Sequence, residues 1–413
     1  RRPHAHPFPQ SHPAAAAPTK TRRKNQTTQR KIMSAIPMLD KIARAVLSHD
    51  NSVRKEAEKV YQNLREKPDA YLAEVAKALA GGAAELQTRI FLCIMLRQDV
   101  GAKSAVWRGA NAQTKAGVQE VLLGLVQNEK NRVIRRHVCE VIGRLASHTV
   151  AKRQWDALIP VLENLCTSQY PEHVESGLHI AGVLSEYATN SVVKMLPAIY
   201  KVIGKCLNSS QASLQVAAFK ATASFIMALS GKAQNTFSGL LPNMFQSIAR
   251  LAKAENDDAL CECIDEIASL LSFNVQMFRP LARFIIKLLA ETAAHKGLEP
   301  GTRRTALSLI VEFAKKDRAA VKQVKDMSST VIPLAYSMLS NVNEDINYWG
   351  SQTEERDPDD EDFGMGWDTL DYLACYIGGS NVMVATWPLI ESSLSSKSWV
   401  QRHAAICAIT AIL

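Results

Sequence analysis

Nowhere in its 413 residues does the chain run for about 18 consecutive apolar residues, the length a helix needs to cross a bilayer. Its first 32 residues hold no apolar core, so they are not a secretory signal. The eight cysteines, at 93, 139, 166, 206, 261, 263, 375 and 407, form no CxxC pair. Cys261 and Cys263 stand two apart, which on a helix sends them to different faces. That pattern argues against a metal site and against a disulfide framework, and for a reducing compartment. Asn-Gly and Asp-Gly turns are missing, as is any sustained apolar–polar alternation, so strands have almost no signal. GxxxxGK[ST], GxSxG and HExxH are absent too. No catalytic, cofactor-binding or metal-ligating residue is therefore expected, and the chain reads as a non-enzyme without a cofactor. His137 and His173 lie in helical segments and read as structural.

Charge of one sign is also scarcer than the total suggests. The formal net charge is +9, but residues 1–32 carry eight Lys or Arg and no acid, so the body from Met33 onward is +1. A balanced body makes direct nucleic-acid binding a poor expectation. The leader RRPHAHPFPQSHPAAAAPTKTRRKNQTTQRK is rich in Pro, Ala, His and Arg and lacks apolar periodicity. Its composition predicts disorder; a transit peptide or a basic localisation tract remains open. Helical patterning begins at Met33, so residues 1–32 need not belong to the natural chain.

What the body does contain is repetition. Apolar residues recur at helical spacing, as in Val138, Val141, Ile142 and Leu145, and in Leu158, Val161, Leu162 and Leu165. Short polar breaks are followed by a hydrophobe, a polar anchor and a small or apolar residue, clearest in VRKEA, IRRHV and TRRTA. The anchors Arg54, Thr88, Arg135, Glu175, Gln215, Cys261 and Arg303 step by about 41.5 residues on average. A second series, the prolines at 160, 197, 242, 280, 333 and 388, marks the other helix of each pair and predicts kinked helices. Paired helices at this period predict an all-α, right-handed superhelical solenoid of about nine HEAT repeats over residues 33–413. The final stripe, Ile406, Ile409 and Leu413, meets the last residue without a polar cap, which reads as the N-terminal part of a longer protein.

One stretch interrupts the rhythm. Glu354 to Asp362 reads EERDPDDED, and between Glu344 and Asp371 there are eleven acids and one base. The helix paired with the one at Pro333 is expected only at Trp367, which leaves an acidic loop over 343–366, with Gly364-Met-Gly366 as flexible loop. A loop of this length inside a repeat is usually functional, although a solvated linker has the same composition.

The order of acidic loop, TLDYLACYIGG (Thr369 to Gly379), a proline helix, and SWVQRHAAICAI (Ser398 to Ile409) resembles the karyopherin-beta (importin-beta) family, in its importin-beta-three branch. The resemblance spans Met33 to Leu413 and includes SVRKEAEKVYQNL, IMLRQDV, IRRHVCEVIGRLA and TALSLIVEFAK. Tyr372 departs from the branch, which carries Arg after Leu-Asp. The resemblance implies a nuclear import receptor shuttling between cytoplasm and nucleus. It would bind cargo with basic localisation signals, cross the pore on FG-repeat nucleoporins and release cargo to Ran-GTP, without membrane insertion. It implies Ran-binding repeats at about 33–190, with Arg97, Arg135 and Arg136 as contact candidates. Arg135 also suits a stacking contact between repeats. The acidic residues Glu354, Glu355, Asp357, Asp359, Asp360, Glu361 and Asp362 are the implied contacts to Ran or cargo, and Asp371 lies on the cargo side. A HEAT scaffold of a phosphatase or chromosome-associated complex would share the periodicity but not the acidic loop.

Overall fold

The computed structural model describes residues 38–81, 85–186, 193–325, 327–342 and 361–413. Among these every regular element is helical, as the apolar periodicity requires. Contacts divide the chain into two compact units, Arg1–Val141 and Ile142–Leu413.

The first unit holds α1 (38–46), α2 (Asn51–Arg65), α3 (Pro68–Ala80), α4 (Leu86–Asp99), α5 (Ala105–Gly109), α6 (Ala112–Asn128) and the leading part of α7 (Arg132–Thr149). Asp50 and Asn111 cap α2 and α6 by accepting from Ser52 N and Thr114 N. Pro68 opens α3, where its missing N–H would have had no helical partner anyway. Asp99, the last residue of α4, is fully buried and accepts from Tyr61 Oη at 2.8 Å and Tyr71 Oη at 2.7 Å. Arg65 pairs with its other oxygen at 2.5 Å. Burial pushes both phenols up, so they stay protonated and donate. One carboxylate thus ties together α2, α3 and α4.

The second unit continues with α8 (Leu158–Thr167), α9 (Pro171–Ser185), α10 (Leu196–Leu207), α11 (Ala212–Ala228), α12 (Gly231–Ser238), α13 (Leu241–Lys253) and α14 (Asp257–Asn274). Then come α15 (Ala282–Ala294), α16 (Pro300–Lys316), α17 (Arg318–Lys322), α18 (Ile332–Met338), α19 (Glu361–Leu373), α20 (Gly379–Leu394) and α21 (Trp399–Ile412). They pack in two layers. The second helices α9, α11, α14, α16, α19 and α21 each touch the next, and each also packs on its own first helix. This is the HEAT arrangement, and its core runs between successive pairs. Phe225 stacks on Phe237 at 4.8 Å, and Phe278 meets Phe245 and Phe313 edge to face at 6.1 and 6.4 Å.

The anchor series has a physical cause. Each anchor falls near the start of a second helix. Three reach back six residues to a carbonyl one or two residues past the preceding helix: Arg54 to Ser48 O (2.5 Å), Arg135 to Glu129 O (3.0 Å) and Gln215 to Ser209 O (2.8 Å). Arg402 repeats the device on Ser396 O at 2.7 Å, and Arg303 reaches Ala293 O at 3.0 Å. Carbonyls in the last turn of a helix and just beyond it lack helical partners, so a long donor placed after the turn satisfies them.

Two expectations are corrected. The prolines do not kink long helices: Pro197, Pro242 and Pro333 are at the second position of α10, α13 and α18, Pro160 is in the first turn of α8, and Pro280 precedes α15. Short helical pieces sit at these junctions, Gly231–Ser238 before Pro242 and Val275–Leu281 around Pro280; only Pro388 sits deep in its helix, α20. The helix expected at Trp367 begins instead at Glu361, so Gly364-Met-Gly366 is helical. Glu361 and Asp362 favour that start, because carboxylates in a first turn face the positive end of the helix dipole. Gly366 lets α19 lie on α18: a Cβ there would stand 2.6 Å from Ala335 O.

By average hydropathy, Glu361–Leu394 is long and apolar enough for a membrane span, although no run of apolar residues is unbroken. Gly378, at φ +102°, turns the chain between α19 and α20, so this stretch is two helices of successive pairs. All eight cysteines are free thiols, most of them buried. Burial pushes the Cys93 and Cys166 thiols up to about 12, which leaves little thiolate at neutral pH.

Candidate partner-binding site

The three arginines singled out in the sequence lie on α4 and α7. Arg97 pairs with Glu140 at 2.5 Å, which draws α4 and α7 together, and half of its side chain stays exposed. Arg135 is only 6% exposed and spends its guanidinium on the carbonyl of Glu129, so its placement is that of a repeat anchor. Arg136 is half-buried on the next position of the same helix.

Of the acidic run, Glu354, Glu355, Asp357, Asp359 and Asp360 lie outside the described residues. Glu361 and Asp362 are the first two residues of α19. Arg304 of α16 donates to both, reaching Asp362 Oδ1 at 2.9 Å. Asn341, at the last described turn before the acidic stretch, donates to Asp362 Oδ2 at 3.0 Å. Both oxygens of Asp362 are therefore engaged, by two residues that precede the acidic stretch in the chain.

Along α16 and α19 runs a groove of about 240 Å³ lined by Val311, Met365, Tyr372 and Tyr376, with Glu312, Asp368 and Lys315 also in its wall. Tyr372 stacks on Tyr376 at 6.2 Å, and the Arg318 guanidinium lies 5.6 Å from the Tyr376 ring centre. Tyr372 thus offers an exposed ring face to the groove. Asp371 is half-buried one position away, with Cys375 Sγ at 3.9 Å. Aromatic faces beside carboxylates suit an extended segment carrying ammonium or guanidinium groups.

Arg304, Asn341 and the groove residues were not legible as a site in the sequence. Arg304 is the second arginine of TRRTA, whose first, Arg303, is the anchor, and its partners stand 57 and 58 positions away. The doublet divides the work: one arginine caps the preceding helix and the other holds the acids.

Two family profiles match the chain, one described as "IPO5-like, TPR repeats" over residues 130–288 and one as "Importin repeat" over residues 295–384. Together they span more than half of it. The chain belongs to the importin-beta (karyopherin-beta) family. Importin subunit beta-3 of Saccharomyces cerevisiae is 23% identical over 397 residues, covering 92% of this chain and 36% of the yeast protein. A probable importin-5 homolog of Dictyostelium discoideum is 21% identical over 390 residues, with the same shares. The chain thus spans little more than a third of the length of these relatives. In fold it is similar to Kap121p solved with RanGTP (TM-score 0.76, 20% identical, 92% of this chain and 36% of that one). It is similar also to Kap121p solved with Pho4p (TM-score 0.75, 20% identical, covering 92% and 37%).

Proposed function

We propose that this chain is the receptor part of a nuclear importin that takes up cargo with basic localisation signals and gives it up to Ran-GTP. The observation that carries the reading is the importin match across residues 130–384, within which the acidic run interrupts a helix pair. The first helix pairs are the Ran-binding part, with Arg97 and Arg136 offering charge and Arg135 holding α7 in place. Basic segments bind the acidic residues Glu354, Glu355, Asp357, Asp359, Asp360, Glu361 and Asp362 and the groove beside Asp371. FG-repeat nucleoporins occupy apolar clefts between neighbouring first helices, and the protein moves between cytoplasm and nucleus. Support comes from the aromatic and acidic lining of the groove and from the partners with which Kap121p has been solved.

The test is a binding titration of the 413-residue chain against Ran loaded with GTP or with GDP. Strong preference for the GTP form is expected. Equal binding to both, or to neither, would count against transport and favour a HEAT scaffold.

A further inference from the structure

Glu361 and Asp362 are the two acids of the run that the structure describes, and a cation of the same chain already occupies them. Arg304 sends one guanidinium nitrogen to each carboxylate, and its side chain is only 20% exposed. The geometry is that of a fork spread over two acceptors, which a flexible ammonium could not reproduce. Glu361 remains 53% exposed and so is open to an incoming basic group, whereas Asp362 is 15% exposed and also held by Asn341. Among the described residues no other Lys or Arg pairs with either acid.

We infer that Arg304 is a built-in competitor, a specificity-determining residue that sets how tightly a basic segment binds at the start of α19. A lysine-rich ligand that takes Glu361 must share the carboxylate with Arg304 or displace it, so part of its attraction is offset by the existing pair. Ligands with few positive charges are then rejected, and ligands with several are accepted, which is discrimination by an internal opponent rather than by a clash. The competitor also lowers the negative potential felt by an approaching ligand, and with it the salt dependence of binding. This inference rests on the proposed binding of basic segments to the acidic run.

The experiment uses the full chain and a fluorescein-labelled peptide of alternating lysine and serine, followed by anisotropy from about 50 to 300 mM NaCl. Arg304→Gln should bind the peptide about threefold to tenfold more tightly at low salt, the size of one or two exposed charge contacts, with a steeper fall as salt rises. The double variant Arg304→Gln/Glu361→Gln should lose most of that gain, which a purely structural arginine would not predict. Should Arg304→Gln fail to fold by circular dichroism, Arg304→Lys is read instead; it keeps the charge but loses the fork, and a gain of about twofold is expected. If the natural chain binds the peptide and the arginine variants bind it no better, the inference falls while the proposed function stands. If neither the natural chain nor the variants bind the peptide at any salt, the proposed function falls and takes the inference with it.

Discussion

At the scale of single residues the most exacting position is Asp99. Its carboxylate has no exposure and serves three donors, Tyr61, Tyr71 and Arg65. Replacing it with Ala leaves two phenols with only each other, at 2.8 Å, and strips Arg65 of its counter-charge. Losses of this kind cost about 2–4 kcal/mol, moderated here because Arg65 reaches water. Tyr61→Phe removes one donor from a set that stays paired and should cost about 1 kcal/mol. Urea unfolding should therefore rank Asp99→Ala well below Tyr61→Phe, and midpoints of both variants equal to that of the natural chain would show that the network carries no stability. Nothing in the sequence marks Asp99 apart from other acids, because its partners lie 28 to 38 positions away. Arg135 is the opposite case. Its partner carbonyl is six residues back, so the local pattern IRRHV already contained its role.

At the scale of elements, what was legible is what is local. Apolar stripes such as Val138, Val141, Ile142 and Leu145 are fully buried where helical spacing put them, and the polar anchors stand at the starts of second helices. What was misread is where local preference and packing disagree. Two glycines in three residues argue for a loop, yet α19 runs through them, and Gly366 lets its backbone approach α18 more closely than any side chain would. An added methyl would meet Ala335 O at 2.6 Å and Leu339 N at 3.2 Å, both backbone atoms that cannot swing aside. Gly366→Ala is accordingly expected to destabilise by about 1–3 kcal/mol through overpacking, despite the better helix propensity of alanine. Gly124→Ala on α6, where a Cβ would meet nothing within 4 Å, serves as the control. A thermal scan in which Gly366→Ala melts as high as the natural chain would mean that α18 and α19 separate freely.

At the scale of the whole molecule, the distribution of charge decides how the protein meets partners. The eleven acids between Glu344 and Asp371 set a negative region against a body that is otherwise basic, which favours encounter with basic surfaces and makes association sensitive to salt. If Ran and a basic cargo segment compete there, each weakens the other, and the linkage is reciprocal and typically ~1–3 kcal/mol. The pairing of Arg304 divides the seven acids into two groups for any test of this idea. Neutralising Glu354, Glu355, Asp357, Asp359 and Asp360 to Ser or Asn removes charge without touching a described contact. That variant should melt within about 0.5 kcal/mol of the natural chain, bind Ran-GTP more slowly, show a flatter salt dependence and release cargo less completely. Neutralising Glu361 and Asp362 instead leaves Arg304, four-fifths buried, with no counter-charge among the described residues, so it should lower the melting point as well. Association rates measured against ionic strength for the two variants separate the roles. Identical rates and slopes for the five-residue variant and the natural chain, with cargo release unchanged, would leave the acidic run as a solvated linker and Arg304 as a clasp that merely closes its end.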